Sequence, residues 1–299
     1  MKKNILLMGF AVALVVVTAS CNQNTKPAEQ QEKADSPKQT SGGLFNKPFG
    51  VQAYTYRASF PNSVTATLDS VKALGITEME GPNPKNISAE EFKKLLDERG
   101  ISMPSIGLDY ELVTTKPEEA VKQAKVFGSK YVMVAWIPHG NTFTLDDAKK
   151  AAADFNKAGK VLADNGITLC YHNHGYEFGK YEDGTLFDYI AKNTDPKNLS
   201  FELDMLWAFH GGADPAQLLL KYKDRFKLIH LKDIRKGIAN DLTGGTDIKN
   251  DVALGTGQIN VPEVLKAAKE VGIQHYFIED ESPDHAKQIP ETIRYLKSL

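Results

Sequence analysis

Histidines and carboxylates occur two positions apart at four places in the second half of the chain, and these residue types bind divalent metals. The pairs, one of which includes a lysine, are His172 with His174, Glu202 with Asp204, His230 with Lys232, and Glu279 with Glu281. Because side chains alternate between the faces of a β-strand, the members of each pair share a face where the segment is extended. Asp204, His230 and Glu279 would be badly desolvated if they met in a protein core without a cation. The pattern therefore predicts one divalent metal ion, and such mixed ligands suit Mn²⁺, Zn²⁺, Mg²⁺, Co²⁺ or Fe²⁺.

Glycines mark repeated junctions between helical patterns and apolar, β-rich runs. The junctions include Gly75-Ile76, Gly100-Ile101, Gly166-Ile167 and Gly272-Ile273. Glycine suits the left-handed conformation that closes a helix, so each junction predicts a helix followed by a strand. Eight strands are predicted, at residues 49–57, 76–82, 101–107, 131–137, 167–174, 199–205, 227–234 and 275–281.

The regular alternation of strands and helices predicts right-handed crossovers and a parallel sheet. Eight such units in about 250 residues match a (β/α)₈ TIM barrel, predicted as a single domain over residues 44–299. An open doubly wound sheet is the alternative. It requires a glycine-rich phosphate loop after the first strand, where this chain has Tyr54-Thr55-Tyr56-Arg57. In a TIM barrel the active site lies at the carboxyl ends of the strands, which is where the four pairs fall.

Longer motifs surround these pairs. They are Tyr-His-Asn-His-x-x-Glu-Phe from residue 171, Phe-Glu-Leu-Asp-Met-x-Trp-Ala-x-x-Gly-Gly-x-Asp-Pro from 201, Arg-Phe-x-Leu-Ile-His-Leu-Lys-Asp from 225, Leu-Gly-x-Gly from 254 and Phe-Ile-Glu-Asp from 277. Over roughly residues 46–299 the chain resembles the sugar phosphate isomerase/epimerase family, the xylose-isomerase-like barrels. The resemblance implies one divalent metal held by Glu, Asp, His and Glu from strands five to eight. Asp204, His230 and Glu279 match that pattern, whereas His172 stands at the strand-five glutamate position.

This departure leaves open whether His172 binds the metal or whether Glu177 or His174 takes over. The resemblance also implies a mechanism, in which the metal chelates a carbonyl and an adjacent hydroxyl of a sugar and acidifies the C–H bond between them. Glu279 is one candidate base. The opposite face would be served by His172, His174 or Glu177, and Lys232 could stabilise the developing oxyanion. The same groups suit a sugar isomerase, an epimerase or a keto-sugar lyase that works by β-elimination.

Aromatic and histidine side chains near the strand ends are candidate substrate contacts. Trp136 and Trp207 end strands four and six, and an aromatic face suits the apolar face of a sugar, although both could equally pack in the core. His139 follows strand four and is interpreted as a substrate contact or a surface residue; His174 is a further candidate. The glycine-rich stretch 235–260 is interpreted as a lid over the site or as an idle insertion.

Some of these residues also have structural interpretations. Lys232 could form an ion pair with Asp233 at the rim of the barrel. Glu202 lies deeper in its strand and is interpreted as structural, in support of the metal ligands. Glu281 could replace Glu279 as the ligand from strand eight.

The first residues have the pattern of a targeting segment. Lysines precede an apolar run, Ile5 to Val17, which is short for a membrane span and typical of a signal peptide. Thr18-Ala19-Ser20-Cys21 then resembles a bacterial lipoprotein signal with Cys21 as the lipidated residue; a plain secretory signal is the alternative. The predicted domains are thus a signal peptide at 1–21, a disordered tether at 22–43 and the barrel at 44–299. We expect a cell-envelope protein, facing the periplasm or the surface, whose only membrane attachment is the lipid.

Composition and location narrow the class of substrate. The formal net charge is −2, so there is no basic excess to neutralise phosphates, which argues against a nucleic-acid partner. Phosphorylated sugars are cytoplasmic, so a non-phosphorylated sugar or glycoside is the expected small-molecule partner. An apurinic endonuclease on this barrel would need more ligands on strands two and three, where we find Glu78 and Glu80. The other alternative is a noncatalytic sugar-binding lipoprotein, which His172 in place of glutamate keeps open.

Overall fold

The computed structural model describes residues 43–299, so the predicted signal peptide, Cys21 and the tether up to residue 42 lie outside the described residues. In the described part, eight parallel strands close into a barrel in which chain neighbours are also spatial neighbours. The strands are β1 Gly50–Gln52, β2 Glu78–Gly81, β3 Ser102–Gly107, β4 Tyr131–Val134, β5 Thr168–His172, β6 Ser200–Asp204, β7 Phe226–Leu231 and β8 His275–Ile278. The predicted TIM barrel is confirmed.

Helices connect the strands on the outside of the barrel. They are α1 Val64–Ala73, α2 Ala89–Asp97, α3 Tyr110–Thr115, α4 Pro117–Phe127, α5 Leu145–Asp164, α6 Leu186–Lys192, α7 Met205–His210, α8 Pro215–Lys221, α9 Val261–Val271 and α10 His285–Ser298. Gly272 closes α9 in the left-handed conformation, with φ of 77°, as its place before a strand predicts. Across residues 43–299, no helix combines the length and the apolar character that crossing a membrane requires.

The first strand is shorter than the predicted 49–57. After Gln52 the chain turns into a short 3₁₀ helix, Ala53–Tyr56, and the N–H of Tyr54 donates to the side-chain oxygen of Gln52 at 3.3 Å. A side-chain acceptor at this position lets the backbone leave the sheet with its first free donor satisfied. The residues after Gln52 therefore form part of the rim.

Strand β7 also ends earlier than predicted, at Leu231 instead of residue 234. Asp233–Ile234 leaves the barrel and pairs antiparallel with Asp251–Val252. This small ribbon holds both ends of the long segment that follows β7 against the rim of the barrel.

The register between neighbouring strands places the carboxyl-end residues at matching heights. His172 of β5 lies beside Glu202 of β6, and Asp204 of β6 lies beside His230 of β7. Glu279 directly follows β8, the other neighbour of β7. Alternation then points these side chains into the barrel interior.

An apolar layer lies beneath these residues. Its buried members, Tyr131, Cys170, Leu228 and Phe277, contact one another. Each stands two positions before a residue that lines the cavity described below, so alternation puts it one layer lower. The cavity-lining residues therefore rest on a layer of mainly apolar side chains.

Candidate metal centre and active site

Four buried side chains converge at the carboxyl end of the barrel. They are His172, Asp204, His230 and Glu279, the residues predicted to hold the metal. His230 Nδ1 lies 2.9 Å from Glu279 Oε2 and 3.7 Å from Asp204 Oδ2. His172 Nε2 lies 3.8 Å from the same Asp204 oxygen. We call these four residues the metal cluster.

The facing atoms of the metal cluster are buried, and none has a hydrogen-bond partner within residues 43–299. Even the 2.9 Å approach of His230 Nδ1 to Glu279 Oε2 lacks hydrogen-bond geometry. An unpaired buried polar group costs about 1–3 kcal/mol. Asp204, His230 and Glu279 each offer an atom within 4.8 Å of the other two, as do His172, Glu202 and His230, so these groups can hold a divalent cation. Two imidazole nitrogens and two carboxylate oxygens suit Zn²⁺, Mn²⁺, Co²⁺ or Fe²⁺.

Hydrogen bonds orient the carboxylate of Asp204. Its Oδ1 accepts the N–H of Trp207 at 2.8 Å, at the start of α7. Its backbone N–H donates to Asn173 Oδ1 at 3.0 Å, and Asn173 Nδ2 donates back to the Asp204 carbonyl at 3.1 Å. With Oδ1 held in this way, Oδ2 faces His172 and His230.

Two further carboxylates lie under His230. Its Nε2 is 2.6 Å from Glu80 Oε2 and 3.3 Å from Glu202 Oε1, and Gln52 Nε2 donates to the same Glu80 oxygen at 3.0 Å. Burial and the neighbouring Glu80 raise the pKa of Glu202 well above its usual range. With its ring proton on Nε2, His230 would donate to Glu80 and turn Nδ1 toward Asp204 and Glu279; such partners fix the orientation of metal-binding histidines. Glu202 lies in this deeper layer and also forms a group with His172 and His230 that can hold a metal ion.

Replacing Glu80 by Gln should weaken metal binding roughly 10–100-fold, because the amide gives His230 a weaker acceptor. Competition against a chelator of known affinity measures this change. Glu78→Gln is the matched control, since Glu78 lies on the same strand but pairs with His275 at 2.8 Å, at the amino end of the barrel. Equal metal affinity in wild type and Glu80→Gln would show that Glu80 does not orient His230.

Lys232 is buried beside the metal cluster and faces three carboxylates. Its Nζ lies 2.5 Å from Glu281, 3.7 Å from Asp251 and 3.8 Å from Glu279. Burial alone would lower the pKa of Lys232, but these carboxylates raise it well above its usual range. Burial would also raise the pKa of Glu279, whereas Lys232 and His230 lower it to about 2. Glu279 is therefore ionised at neutral pH, as a metal ligand must be.

The alternative of a Lys232–Asp233 ion pair is not found in the structure. Asp233 Oδ2 instead accepts the N–H groups of Gly255 and Gly257, both at 3.0 Å. Glu281, considered as a ligand in place of Glu279, is held by Lys232. The side chain of Asp233 therefore anchors the loop before α9.

A cavity of about 450 Å³ opens above the metal cluster. Three predicted substrate contacts, His174, Trp136 and Trp207, line it. His174 stacks on Trp207 with ring centroids 5.5 Å apart and an interplanar angle of 20°. Burial, and then the charge of Lys232, lowers the pKa of His174 to about 4, so this ring is uncharged at neutral pH. Sugar binding by these residues stays a prediction.

His139 is not among the residues that line this cavity, and its role as a substrate contact stays a prediction. Its ring stacks on Trp136 with centroids 4.9 Å apart, and its Nδ1 lies 2.7 Å from the carbonyl oxygen of Ile137. The chain leaves β4 at Val134, so strand alternation no longer decides where a side chain five residues later points. His139 supports Trp136 from behind.

Glu177 is also not among the residues that line the cavity, and its roles in catalysis and as a replacement ligand stay predictions. Gly175, with φ of 96°, turns the chain after β5 into the 3₁₀ helix Tyr176–Phe178 and takes Glu177 away from the metal cluster. Glu177 Oε1 accepts the hydroxyl of Tyr171 at 2.7 Å and the N–H of His174 at 3.0 Å. Burial raises the pKa of Glu177 to about 7.

Glu177→Gln should change how stability depends on pH. Because the pKa of Glu177 is raised in the folded state, its contribution is fully present below about pH 4.3 and is lost as the pH rises through about 7. The free energy of unfolding of wild type should therefore fall by roughly 3 kcal/mol relative to Glu177→Gln between these pH values. Urea unfolding at a series of pH values measures this, with the exposed Glu270→Gln as control. Parallel curves for wild type and Glu177→Gln would contradict the assignment.

The segment 235–260 forms part of the cavity wall through Gly244, Gly245, Thr246, Ile248 and Asp251. Gly244 has φ of 70°, and a Cβ there would lie 2.7 Å from the ring of Tyr176 and 3.3 Å from that of Trp136. This segment therefore packs on the aromatic wall at a place that only glycine fits. The contact favours the lid interpretation over an idle insertion, and movement of the segment stays a prediction.

A family model for the xylose isomerase-like TIM barrel matches residues 68–299. The chain belongs to this family. The match includes every barrel strand except β1 and confirms the resemblance that the motifs indicated. Strands β5 to β8, which carry the metal cluster of this xylose isomerase-like barrel, all lie within it.

Relatives of the chain include enzymes and solved structures. An inosose dehydratase from Lacticaseibacillus casei is 26% identical over 243 residues, which is 72% of this chain and 80% of that protein. A sugar phosphate isomerase/epimerase of known structure from Parabacteroides distasonis is 26% identical with a TM-score of 0.68, over 89% of this chain and 97% of that one. The IolI protein, solved with a bound zinc atom, shares the fold at 16% identity and a TM-score of 0.66, over 84% and 96% of the two chains.

Proposed function

We propose that this protein is a metal-dependent enzyme that removes a proton next to a carbonyl group of a non-phosphorylated sugar or glycoside. The observation that carries the proposal is the metal cluster at the base of an open cavity. Its facing atoms are buried and lack hydrogen-bond partners within the described residues, and they form a donor set for a divalent cation. The zinc atom of the IolI structure supports a metal in this fold.

The metal cluster would hold the ion through His172, Asp204, His230 and Glu279. A divalent cation bound there would polarise a carbonyl and an adjacent hydroxyl and so acidify the carbon between them. Asn173 and the N–H of Trp207 hold Asp204 in place for this role. His172 fills the position of the family's strand-five glutamate, so that glutamate cannot be the base here.

We assign proton transfer to His174 and Glu281, which line the cavity without belonging to the metal cluster. His174 is uncharged, because burial and Lys232 lower its pKa to about 4, and it can accept a proton. Lys232 holds Glu281 at 2.5 Å, and Arg57 donates to the carbonyl oxygen of Glu281 at 3.0 Å. We therefore assign the base role to one of these two groups and not to Glu279, which binds the metal in this proposal.

We favour β-elimination from a keto-sugar as the reaction. His174 takes the proton from carbon, the electron pair forms the carbon–carbon double bond, and the departing hydroxyl or alkoxyl group takes a proton that the Lys232 ammonium supplies through Glu281. Several inosose dehydratases are related to the chain, and the word dehydratase denotes an enzyme that removes water from its substrate. Isomerisation or epimerisation is the second candidate, favoured by the relative from Parabacteroides distasonis.

The described residues that line the cavity include no lysine and no arginine, and the neighbouring Lys232 is already paired with Glu281, so no unpaired basic side chain meets a phosphate group there. This supports a non-phosphorylated substrate.

The sequence at residues 1–21 supports export and lipidation of Cys21, and hence a place in the cell envelope. Incorporation of labelled palmitate into wild type but not into Cys21→Ser tests the anchor; an unlabelled wild type would contradict it.

Incubation in D₂O tests the proposed chemistry. The metal-loaded protein is mixed with free sugars, glycosides and their keto derivatives, and deuterium uptake is followed by NMR. A product that has lost water or an alcohol supports elimination, and deuterium in an intact sugar supports isomerisation or epimerisation. Sugar binding with neither result, when the metal is present, would contradict catalysis and favour a noncatalytic sugar-binding lipoprotein.

A further inference from the structure

Exposed apolar side chains concentrate at the mouth of the cavity. Within residues 43–299, the exposed large apolar side chains are Tyr54, Trp136, Leu242 and Ile248. Three of them, Tyr54, Trp136 and Ile248, line the cavity above the metal cluster. Single exposed apolar residues are ordinary on a protein surface, but a group gathered at one opening indicates a binding surface.

Trp136 is held as a rigid platform. Its ring stacks on His139 at 4.9 Å and 26°, and meets the rings of Tyr176 and His174 edge-on at 4.8 Å and 5.4 Å. Gly244 packs on another part of the ring. Even so, Trp136 remains 42% exposed. An aromatic ring that is already fixed and still open to solvent binds a flat partner without a further ordering cost.

The cavity is larger than one sugar ring needs. At about 450 Å³ it lies in the range of roughly 300–1,000 Å³ that holds drug-sized ligands. Trp136 and Ile248 line it together with His172, His230 and Glu279 of the metal cluster. No lysine or arginine from the described chain lines the cavity, so this space does not favour an anionic group, and Trp136 and Ile248 offer an apolar surface to an uncharged one.

We propose that Trp136 and Ile248 form a second subsite, which binds the uncharged, flat-faced aglycone of a glycoside. The aglycone is an aromatic ring or a second sugar ring, since both present an apolar face to an indole. The substrate is then a glycoside whose sugar lies at the metal cluster and whose leaving group lies on Trp136. The reaction of this glycoside rests on the proposed function, whereas the binding of its aglycone to Trp136 does not.

Calorimetric titration with glycosides that cannot react tests the subsite. The probes are the methyl and phenyl β-glycosides of glucose, galactose and xylose, with cellobiose as the second-sugar probe. Phenyl glycosides should bind about tenfold tighter than the matched methyl glycosides. Trp136→Ala should remove this preference and Trp136→Phe should keep most of it. Leu242→Ala is the control, because Leu242 is equally exposed but does not line the cavity.

A Trp136-dependent gain for cellobiose but not for phenyl glycosides would identify the aglycone as a sugar ring. Equal binding of methyl, phenyl and disaccharide probes, a preference that survives Trp136→Ala, or no binding of any probe would overturn the proposal. Because these probes carry no keto group, the titration reports binding alone. A negative D₂O test together with a Trp136-dependent preference would contradict the proposed function and still support the subsite.

Discussion

Asp204→Asn should lower turnover roughly 10³-fold, because metal polarisation of a carbonyl supplies several kcal/mol of transition-state stabilisation. The amide keeps an oxygen for the N–H of Trp207, which Asp204 Oδ1 accepts at 2.8 Å, so the start of α7 should stay intact. It removes the charge from the Oδ2 that faces His172 and His230. Steady-state kinetics with the compound that exchanges deuterium, at several metal concentrations, measures the effect.

The matched control is Asp183→Asn, at an exposed position in the turn after β5. It should retain wild-type turnover. Circular dichroism should show the same helix content in both variants. Wild-type turnover by Asp204→Asn at limiting metal would contradict a metal role for Asp204.

Lys232→Met should reduce the free energy of unfolding by about 3–5 kcal/mol. Methionine has a similar volume, so the loss comes from charge. Lys232 faces the carboxylates of Glu279, Glu281 and Asp251 within 3.8 Å, and without it these groups are left buried and uncompensated. Burial already raises the pKa of Asp251 to about 7 with Lys232 in place. Urea unfolding with and without added metal measures the loss.

Lys227→Met is the control for this experiment. Lys227 lies on β7, which Lys232 directly follows, but it is partly exposed. Within the described chain its Nζ donates only to the carbonyl oxygen of Asp224, at 3.1 Å. Its substitution should change the free energy of unfolding by less than about 0.5 kcal/mol. A loss below about 1 kcal/mol for Lys232→Met would show that Lys232 is not needed to balance these carboxylates.

The barrel could be predicted because its signals are local. Glycine after several of the helices and near-continuous apolar strands mark the repeated units, and their alternation leaves few parallel topologies open. The lengths of the strands could not be predicted. β1 ends at Gln52, where the side-chain oxygen accepts the N–H of Tyr54. This contact leaves no periodic pattern in the sequence, so the end of the strand could not be predicted from it. The same is true of Asp233, whose partners Gly255 and Gly257 follow more than twenty residues later.

The metal cluster was predictable because it lies on strands. Alternation fixes the direction of His172, Asp204 and His230 once their strands are known. Glu177 and His139 each follow a strand end, where a turn such as that at Gly175 sets the direction of the side chain, so alternation could not place them.

Glu80 was noted in the sequence only as an available ligand on strand two. Its contact with His230 at 2.6 Å crosses the barrel between strands that are not neighbours, so no local spacing shows it. Asp251 was missed because it lies outside the barrel strands and follows the polar loop. Two signals in the sequence pointed to this deeper layer, the depth of Glu202 in its strand and the presence of Glu80 on strand two.

The most direct test of this account is the metal content of the purified protein. Wild type and the double variant Asp204→Ala with His230→Ala are dialysed against Mn²⁺, Zn²⁺ or Co²⁺, desalted, and measured by inductively coupled plasma mass spectrometry. The account predicts one ion per chain in wild type and none in the double variant, with the fold of both intact by circular dichroism. A wild type that binds none of these metals, or a double variant that binds them equally, would contradict it.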